Sequence, residues 1–552
     1  MNPRELGSTK LNIAQNWMLY FDENAPQDAF FETYAFFQTP YQRVTISTNP
    51  PAADANDSFG NSRLRFEFKP GADKQKVLEL NAVAYVGYYG VEFEALAPGE
   101  EEKYLASTEL TEAGGGVKAL AETLADGAID DYDVVARFTD WIRNNVEYDA
   151  SYWKRAVPAE QTISEKRGVC NQFATLLIAL LKSRGIPARF TAGLVFSGES
   201  WGPHAWVEAG INSSDGMRRW LPVDPTFGEV GILDAGHVKF AHGLDQNDIS
   251  EVGTAGVDVV KGELRVSVVQ KTNFAELFDV SLNAPSVVGS GSAEEVAIAV
   301  KSKAGAAAAL PFIIVVPTQP QSLAVRVADG ESRILYLQPG EEKAVSWRLV
   351  FPSELKEGFT YNFTVAVQGL GKRIFSVVQG KAGVESHAFQ KISITRFSAR
   401  DEGANELFSI VVVNEGNEGI DGVDVVGEFN GLKQRESFSL SAGEEKRVSF
   451  VFVKPAEPGV YSGSFKAADA VSGASAEQPF QLEITKEGGE AQGGISLPNI
   501  QVPLPSAGAI PEEYFVYGAA AVCAAALVFA VIRARRGLNS QKTGSQTKLA
   551  KF

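Results

Sequence analysis

The sequence predicts a multidomain α+β protein, and three observations support that prediction. The chain has 552 residues, whereas one domain usually holds about 100–200 residues. Alternation of hydrophobic and polar residues, typical of strands, dominates both ends of the first 486 residues. Helical periodicity is concentrated between those ends. We therefore expect an N-terminal β-rich domain (1–105), a mixed α+β domain (106–254) and two tandem β-sandwiches (255–384 and 385–486).

The first two domains are predicted from short stretches of local pattern. Residues 63–68 alternate strictly between polar and apolar side chains, and residues 83–94 are rich in aromatic and β-branched residues, so both are predicted as strands. From residue 100 onwards the composition becomes helical. Residues 117–124 and 132–145 are the first predicted helices, and the second places Phe138 on a continuous apolar face.

An internal repeat supports the two β-sandwiches. Residues 337–346 (LQPGEEKAVS) match residues 440–449 (LSAGEEKRVS) at a spacing of 103 residues. Each copy is followed by an apolar strand and a proline. A period near 100 residues with many short strands is typical of tandem immunoglobulin-like domains, which we predict here.

The C-terminal end predicts a membrane anchor. Residues 487–513 are rich in glycine and proline and are expected to form an extended stalk. Residues 514–532 contain nineteen consecutive uncharged, mostly apolar residues, about the length of a transmembrane helix. Residues 533–552 carry six basic residues and no acidic one. Because basic flanks stay cytoplasmic, we expect a single-pass cell-membrane protein whose bulk is extracytoplasmic.

The N-terminal sequence does not by itself support an extracytoplasmic orientation. The first residues, MNPRELGSTKLNIAQNW, contain no apolar run and no export signal. Either a signal peptide lies upstream of Met1, or the chain is tail-anchored with its bulk inside the cell. Six positive charges oppose translocation of the tail, so the outward orientation is the expectation.

Charge and cysteine content exclude several classes of function. The net charge is −17, and the first 532 residues carry 45 basic against 68 acidic residues, or −23. Nucleic-acid binding needs clustered Lys and Arg, so no nucleic-acid partner is expected. The two cysteines, Cys170 and Cys523, build neither a disulfide framework nor a thiolate zinc cluster. Cys523 lies in the predicted span, which leaves Cys170 as the thiol of the remaining chain.

Cys170 is predicted to begin a helix. Residues 173–181 carry an apolar stripe with helical spacing, and Gly185 followed by Pro187 supplies a stop signal. In the first turn of a helix, unpaired N–H groups and the helix dipole stabilise an anion such as a thiolate. Taken alone, a cysteine beside a leucine-rich helix is usually a core residue.

Two predicted strands supply complementary groups. His204 begins an alternating strand, with Trp206 and Glu208 on its own face. Asp224 ends the next strand, where Pro225 interrupts the ladder. A thiolate nucleophile needs a base within hydrogen-bond reach, and the base needs a third group that fixes its tautomer. Cys170, His204 and Asp224 are the residue types for these three roles.

The motifs around these residues resemble the transglutaminase-like superfamily. The matching segments, in family order over about residues 130 to 230, are Gly168-Val-Cys-Asn-Gln-Phe-Ala174, Gly185-Ile-Pro-Ala-Arg189, His204-Ala-Trp-Val-Glu208 and Pro222-Val-Asp-Pro-Thr226. The resemblance implies a papain-like catalytic core over 106–254. It also implies acyl transfer with Cys170 as nucleophile, His204 as general base and later acid, and Asp224 as the orienting carboxylate.

Supporting residues are expected around these three. The backbone N–H of Cys170 is expected to help form the oxyanion hole. Candidates for a second donor are Gln172, which is close in the sequence, and Tyr148 or Trp153 from the preceding segment. Trp206 and Glu208 are expected to support the site, with core packing as the alternative.

No metal or cofactor is expected. Cys170, His204 and Asp224 have no further ligand at short spacing, and His237 and His242 lie in a less patterned stretch. Animal transglutaminases use calcium, but no feature of this sequence indicates calcium dependence. The sequence also contains no phosphate-binding loop.

Three functions remain open. The favoured one is a membrane-anchored thiol hydrolase, resembling a cysteine peptidase, that acts on a protein or peptide substrate. The second is a protein-crosslinking transglutaminase, in which an amine resolves the same thioester. The third is a non-enzymatic surface adhesion or scaffold protein. The sequence does not indicate the oligomeric state or the natural substrate.

Overall fold

The computed structural model describes residues 6–484, apart from 22–28, 69–73, 154, 214–215, 250–251 and 256. The predicted stalk (487–513), span (514–532) and basic tail (533–552) lie outside the described residues. Within the described part of the chain, no helix is both long and apolar enough to cross a membrane.

The elements are numbered along the chain. The N-terminal strands are β1 (Leu6–Phe21), β2 (Ala29–Tyr34), β3 (Gln42–Asn49), β4 (Ala53–Asn56), β5 (Ser62–Phe68) and β6 (Gln75–Val86). The helical part contains α1 (Glu100–Leu105), α2 (Gly115–Ala125), α3 (Asp131–Asn145), β7 (Glu147–Tyr148), α4 (Ala159–Glu165), β8 (Arg167–Gly168) and α5 (Cys170–Ser183). It is followed by β9 (Ala188–Phe196), β10 (Trp201–Asn212), β11 (Arg218–Asp224), β12 (Glu229–Val230), β13 (His237–Gly243), β14 (Val252–Ala255), β15 (Val257–Lys261) and β16 (Arg265–Asn273).

The remaining strands form two consecutive modules. The first contains β17 (Phe278–Asn283), β18 (Val287–Val288), β19 (Ala293–Ser302), β20 (Ala308–Val315), β21 (Arg326–Val327), β22 (Ser332–Leu337), β23 (Glu342–Val350), β24 (Tyr361–Gly369) and β25 (Lys372–Gly380). The second contains β26 (Ile392–Glu402), β27 (Asn405–Asn414), β28 (Ile420–Phe429), β29 (Leu432–Leu440), β30 (Glu445–Val453), β31 (Gly459–Asp469) and β32 (Ser475–Ile484).

The N-terminal β-rich part consists of two sheets that share one core. One sheet has the order β15-β1-β6-β3, with β16 also paired to β1, and the other has the order β14-β2-β5-β4. Alternate residues of the long strand β1 are buried, as period-two patterning requires. Leu11, Trp17, Phe31 and Phe66 belong to the cluster between the sheets. The predicted strand at 63–68 is confirmed, whereas only the first part of 83–94 is a strand.

Residues 252–273 differ from the predicted division of the chain. The predicted boundary at 254/255 assigns β15 and β16 to the first β-sandwich. In the structure both strands return to the N-terminal sheet, where Trp17 pairs with Lys261 and Ile13 pairs with Val266. Local alternation identified these residues as strands but contains no information about their partner, which lies some 250 positions away in the chain.

The middle of the chain packs helices on a five-stranded antiparallel sheet of order β12-β11-β10-β9-β13. The predicted helices at 117–124, at 132–145 and beginning at Cys170 are confirmed as α2, α3 and α5. Helix α5 is almost wholly buried because helices surround one side and strand β10 covers the other. Gly185, with φ of 72°, follows the end of α5 in the left-handed conformation that glycine favours.

The C-terminal modules repeat one arrangement of strands. Sheets β17-β19-β23-β21 and β18-β25-β24-β20-β22 share a core in the first module, and β26-β27-β30 and β29-β28-β31-β32 do so in the second. The repeated segments 337–346 and 440–449 occupy equivalent turns, in which Gly340 and Gly443 have φ of 74° and 73°. The immunoglobulin-like character of the modules stays a prediction.

Helix α3 joins the helical part to the first C-terminal module. Asn144 Oδ1 accepts from the Ser332 N–H at 3.0 Å, and its Nδ2 donates to the Ser332 carbonyl at 3.1 Å. Asp140, one turn earlier, accepts from the Ile334 N–H at 3.0 Å. The two side chains therefore satisfy backbone groups of β22, which is an edge strand of its sheet. A Cβ on Gly228 would lie 3.8 Å from Ile334, so the loop after Asp224 packs beneath this strand.

Candidate active site

Cys170 lies at the first residue of α5 and is 4% exposed. The turn before it is braced by Gln172, whose Oε1 accepts from the Val169 N–H at 3.0 Å and whose Nε2 donates to the Arg155 carbonyl at 2.7 Å. Both ends of this amide therefore hold backbone of the preceding loop. The contacts differ from the predicted role of Gln172 as an oxyanion donor.

His204 and Asp224 meet because strands β10 and β11 are neighbours in the sheet. His204 Nε2 lies 2.7 Å from Asp224 Oδ2. Cys170 lies close enough to His204 to interact with it electrostatically, while its Sγ lies 3.8 Å from Asn171 Oδ1. Burial lowers the pKa of His204, but the Asp224 charge, its hydrogen bond and Cys170 outweigh burial and raise that pKa to about 10. The imidazolium is therefore favoured at neutral pH.

Asp224 is fully buried and has a complete set of donors. Its Oδ1 accepts from the backbone N–H groups of Thr226 at 2.7 Å and Phe227 at 3.2 Å. Burial by itself raises the pKa of Asp224, but His204 and His237 outweigh burial, so the pKa lies well below its ordinary value. The carboxylate stays ionised and keeps a fixed orientation.

His237 also belongs to this group, although its local sequence pattern did not predict a site residue. Its Nε2 lies 2.9 Å from Asp224 Oδ2, the oxygen that His204 also contacts. His237 begins β13, which pairs with β9 two strands away from β11. This proximity depends on strand order and is not visible in local spacing. The alternation of His237 with Lys239 was a weak signal, because polar side chains are seldom buried together in a strand without partners.

Tyr148 and Trp153 come from the segment before α5 and differ in position. Tyr148 pairs with Gly168 in a short parallel ladder, and its hydroxyl lies against the Cys170 backbone N–H. Burial raises the pKa of Tyr148, and the Cys170 and Asp224 charges add to that rise. Trp153 follows a short 3₁₀ helix, Ala150–Tyr152. Among the described side chains, no hydrogen bond or ring contact joins Trp153 to Cys170, His204 or Asp224.

Trp206 and Glu208 occupy the same face of β10 as His204 but have different surroundings. The Trp206 ring lies nearly parallel to His204 at a centroid distance of 6.2 Å and meets His237 edge-on at 5.4 Å. Glu208 instead accepts from Arg189 Nε and Lys239 Nζ, each at 2.5 Å. Trp206 therefore packs the imidazoles, whereas Glu208 belongs to a separate buried ion cluster.

A metal-like spacing occurs in the site. One donor atom each from His204, Asp224 and His237 lies within 4.8 Å of the others. Both ring nitrogens facing Asp224 are already engaged with Oδ2 at hydrogen-bond distance. The hydrogen-bonding capacity of these atoms is therefore met within the group, and we interpret the group as a hydrogen-bond network.

The comparisons with known proteins agree with this core. Residues 118–225 match the Transglutaminase-like superfamily. The chain therefore contains a transglutaminase-like core, which includes Cys170, His204 and Asp224. His237 lies beyond the matched residues. No curated protein is similar to this chain at a significant level.

Three solved structures illustrate the structural neighbours. A proposed cysteine protease from Cytophaga hutchinsonii is 22% identical with a TM-score of 0.36, and the match covers 49% of this chain and 93% of that one. Red sea bream transglutaminase is 10% identical with a TM-score of 0.19, covering 87% and 95%. A CARDB domain from Pyrococcus furiosus is 19% identical with a TM-score of 0.15, covering 18% and 89%. At these identities and scores, the similarities carry no argument about activity.

Proposed function

We propose that the protein is a thiol enzyme that cleaves peptide or amide bonds through a Cys170 thioester. The supporting observation is that His204 is hydrogen-bonded to the buried Asp224 at 2.7 Å, which favours an imidazolium, and interacts electrostatically with Cys170 at the N-terminus of α5. Such an imidazolium and the helix dipole both favour the thiolate, which is the reactive form of cysteine.

The proposed reaction has two halves, in which Cys170 is first acylated and the thioester is then hydrolysed. The Cys170 thiolate attacks the substrate carbonyl carbon, a C–S bond forms, and the negative charge moves to the carbonyl oxygen. The Cys170 backbone N–H faces the Tyr148 hydroxyl oxygen. We favour these two groups as donors for the substrate oxygen, which would replace the Tyr148 oxygen as the acceptor of this N–H and leave the hydroxyl free to donate. The C–N bond then breaks as His204 gives its proton to the leaving amine. In the second half, neutral His204 takes a proton from water as the water oxygen attacks the thioester carbonyl carbon. The C–S bond then breaks, which releases a carboxylic acid and restores the Cys170 thiolate beside the His204 imidazolium.

Incubation with a casein-type substrate and a labelled amine tests this function. The full chain and its Cys170→Ala variant are compared, since alanine removes the nucleophile but adds no bulk to the buried site. New peptide termini that require Cys170 are the expected result. Cys170-dependent incorporation of the amine would instead identify a crosslinking transglutaminase. Identical behaviour of the two proteins on substrates of both classes would contradict an enzyme and favour a scaffold.

A further inference from the structure

His237 has partners that fix its protonation state. Its Nδ1 lies 2.9 Å from the Asp234 carbonyl oxygen, which only accepts hydrogen bonds. Its Nε2 lies 2.9 Å from Asp224 Oδ2, which also only accepts when the carboxyl group is ionised. Both ring nitrogens must therefore carry a proton, because a bare nitrogen facing either oxygen would be repelled. His237 is 1% exposed, so bulk solvent does not reach these contacts.

The charged groups around His237 support an imidazolium. Asp224 faces it from β11, and Glu229 faces it from β12 with a carboxylate oxygen 4.0 Å from Nδ1. His204 is the cation that faces it from β10, with ring centroids 5.9 Å apart. Tyr88 donates to the His237 carbonyl oxygen at 3.2 Å and stays neutral, since burial raises the pKa of its hydroxyl. The two carboxylates therefore offset the two imidazolium charges, and Arg143 is a further cation that interacts with Asp224.

The Asp234 side chain binds backbone N–H groups of two other segments. Its Oδ1 accepts from the Gly236 N–H and its Oδ2 from the Leu6 N–H, each at 2.8 Å. The backbone of Asp234 is the part that faces His237. These hydrogen bonds fix the loop between β12 and β13, so the carbonyl acceptor of His237 is held in place.

We propose that His237 is a positioning residue: a buried imidazolium that holds the Asp224 carboxylate and shares its Oδ2 with His204. This inference rests on the proposed function. Two cations on one carboxylate oxygen weaken the attraction that each receives from it. His204 therefore holds its proton less tightly than it would beside an unshared aspartate. In the proposed reaction this matters because His204 must release that proton to the leaving amine.

The substitution His237→Gln separates charge from hydrogen bonding. Glutamine keeps an N–H donor for Asp224 but removes the positive charge. Two unit charges 5.9 Å apart interact enough, at an effective dielectric constant of about 20, to shift a pKa by roughly one to two units. Loss of the cation raises proton affinity at its neighbours, so the pH limits of Cys170 reactivity move upwards. A residue with a purely structural role would leave these limits unchanged.

Two measurements on the full chain test the proposal. The first is the ¹⁵N spectrum of histidine-labelled protein at pH 7.5, above the ordinary histidine pKa of about 6.5. The His237 signal of the wild type is identified as the one that is lost in His237→Gln. It is expected to show two protonated ring nitrogens, and a neutral tautomer would overturn the proposal. This measurement needs only folded wild type and a lost signal for assignment. If the variant does not fold, a selectively labelled wild type at several pH values gives the same information.

The second measurement is the pH profile of Cys170 alkylation by iodoacetate, read from the peptide that contains Cys170. In His237→Gln the alkylation rate at pH 5 is expected to fall roughly tenfold, which corresponds to about one pH unit, the lower end of that range. His242→Gln is the matched control, because His242 lies in the same strand and has no contact with Asp224 among the described side chains. An unshifted profile in His237→Gln would contradict the proposal. Alkylation needs no substrate, so a failed acyl-transfer assay leaves this test intact.

Discussion

Replacing Asp224 with asparagine is expected to lower the rate of Cys170-dependent acyl transfer by about 10⁴-fold, the loss seen when a serine-protease triad loses its carboxylate. Burial lowers the pKa of His204, and the Asp224 charge is the largest effect that opposes burial. Without that charge His204 loses its proton at a lower pH. The upper pH limit of the reaction is therefore expected to move down, which is the opposite direction from His237→Gln.

The measurement is the rate of acyl transfer by folded protein across a pH series. Asp245→Asn provides a matched control, because Asp245 is also a buried aspartate, 3% exposed, and caps a 3₁₀ turn outside the site. The control is expected to retain most of the activity. A loss of less than about tenfold in Asp224→Asn would remove Asp224 from the catalytic group.

Replacing Glu208 with glutamine is expected to reduce the free energy of unfolding by about 3–5 kcal/mol, because breaking a buried ion cluster leaves uncompensated charge. Arg189 and Lys239 both donate to Glu208, and Tyr41 donates to its other oxygen at 2.5 Å. Burial and the Arg189 charge lower the pKa of Lys239 to about 8 although Glu208 opposes them. Without Glu208 that pKa falls further.

Because Lys239 can release its proton, the loss of stability in Glu208→Gln is expected to depend on pH. Below the Lys239 pKa both cations stay charged in the variant, so the loss of stability is expected to be largest at low pH. It should shrink as the pH rises from the lowered Lys239 pKa of the variant towards pH 8, because the variant releases the Lys239 proton over this range whereas the wild type keeps it up to its own Lys239 pKa of about 8. Chemical denaturation of wild type and variant at several pH values measures the difference. The control is Glu428→Gln, because the Glu428–Lys433 pair is exposed and contributes little. Equal losses in both variants would contradict a stabilising cluster at Glu208.

The sequence predicted the site where local signals were strong. Cys170 is followed by a leucine stripe and a helix stop, and Asp224 precedes a proline at a strand end. These patterns involve residues that are close in the sequence, so they can be recognised without knowledge of the fold. The contact between His204 and Asp224 also follows from a simple hairpin of adjacent strands, β10 and β11.

The features that the sequence analysis missed depend on distant pairing. His237 reaches Asp224 only because β13 pairs with β9 and completes the edge of the sheet. Strands β15 and β16 return to β1 for the same kind of reason. Gln172 was a reasonable oxyanion candidate from its spacing, but its amide is engaged by Val169 and Arg155. Spacing indicates which residues are near, whereas hydrogen-bond partners decide what each side chain does.

The rate of Cys170 alkylation at pH 6 tests most directly the claim that His204 and the α5 N-terminus activate this thiol. The full chain is treated with iodoacetamide, the peptide that contains Cys170 is followed over time, and a small-molecule thiol is measured in parallel. Cys170 is expected to react faster, because a free thiol with a pKa of about 8.5 is almost wholly protonated at pH 6. A rate for Cys170 equal to or below that of the free thiol would contradict the account.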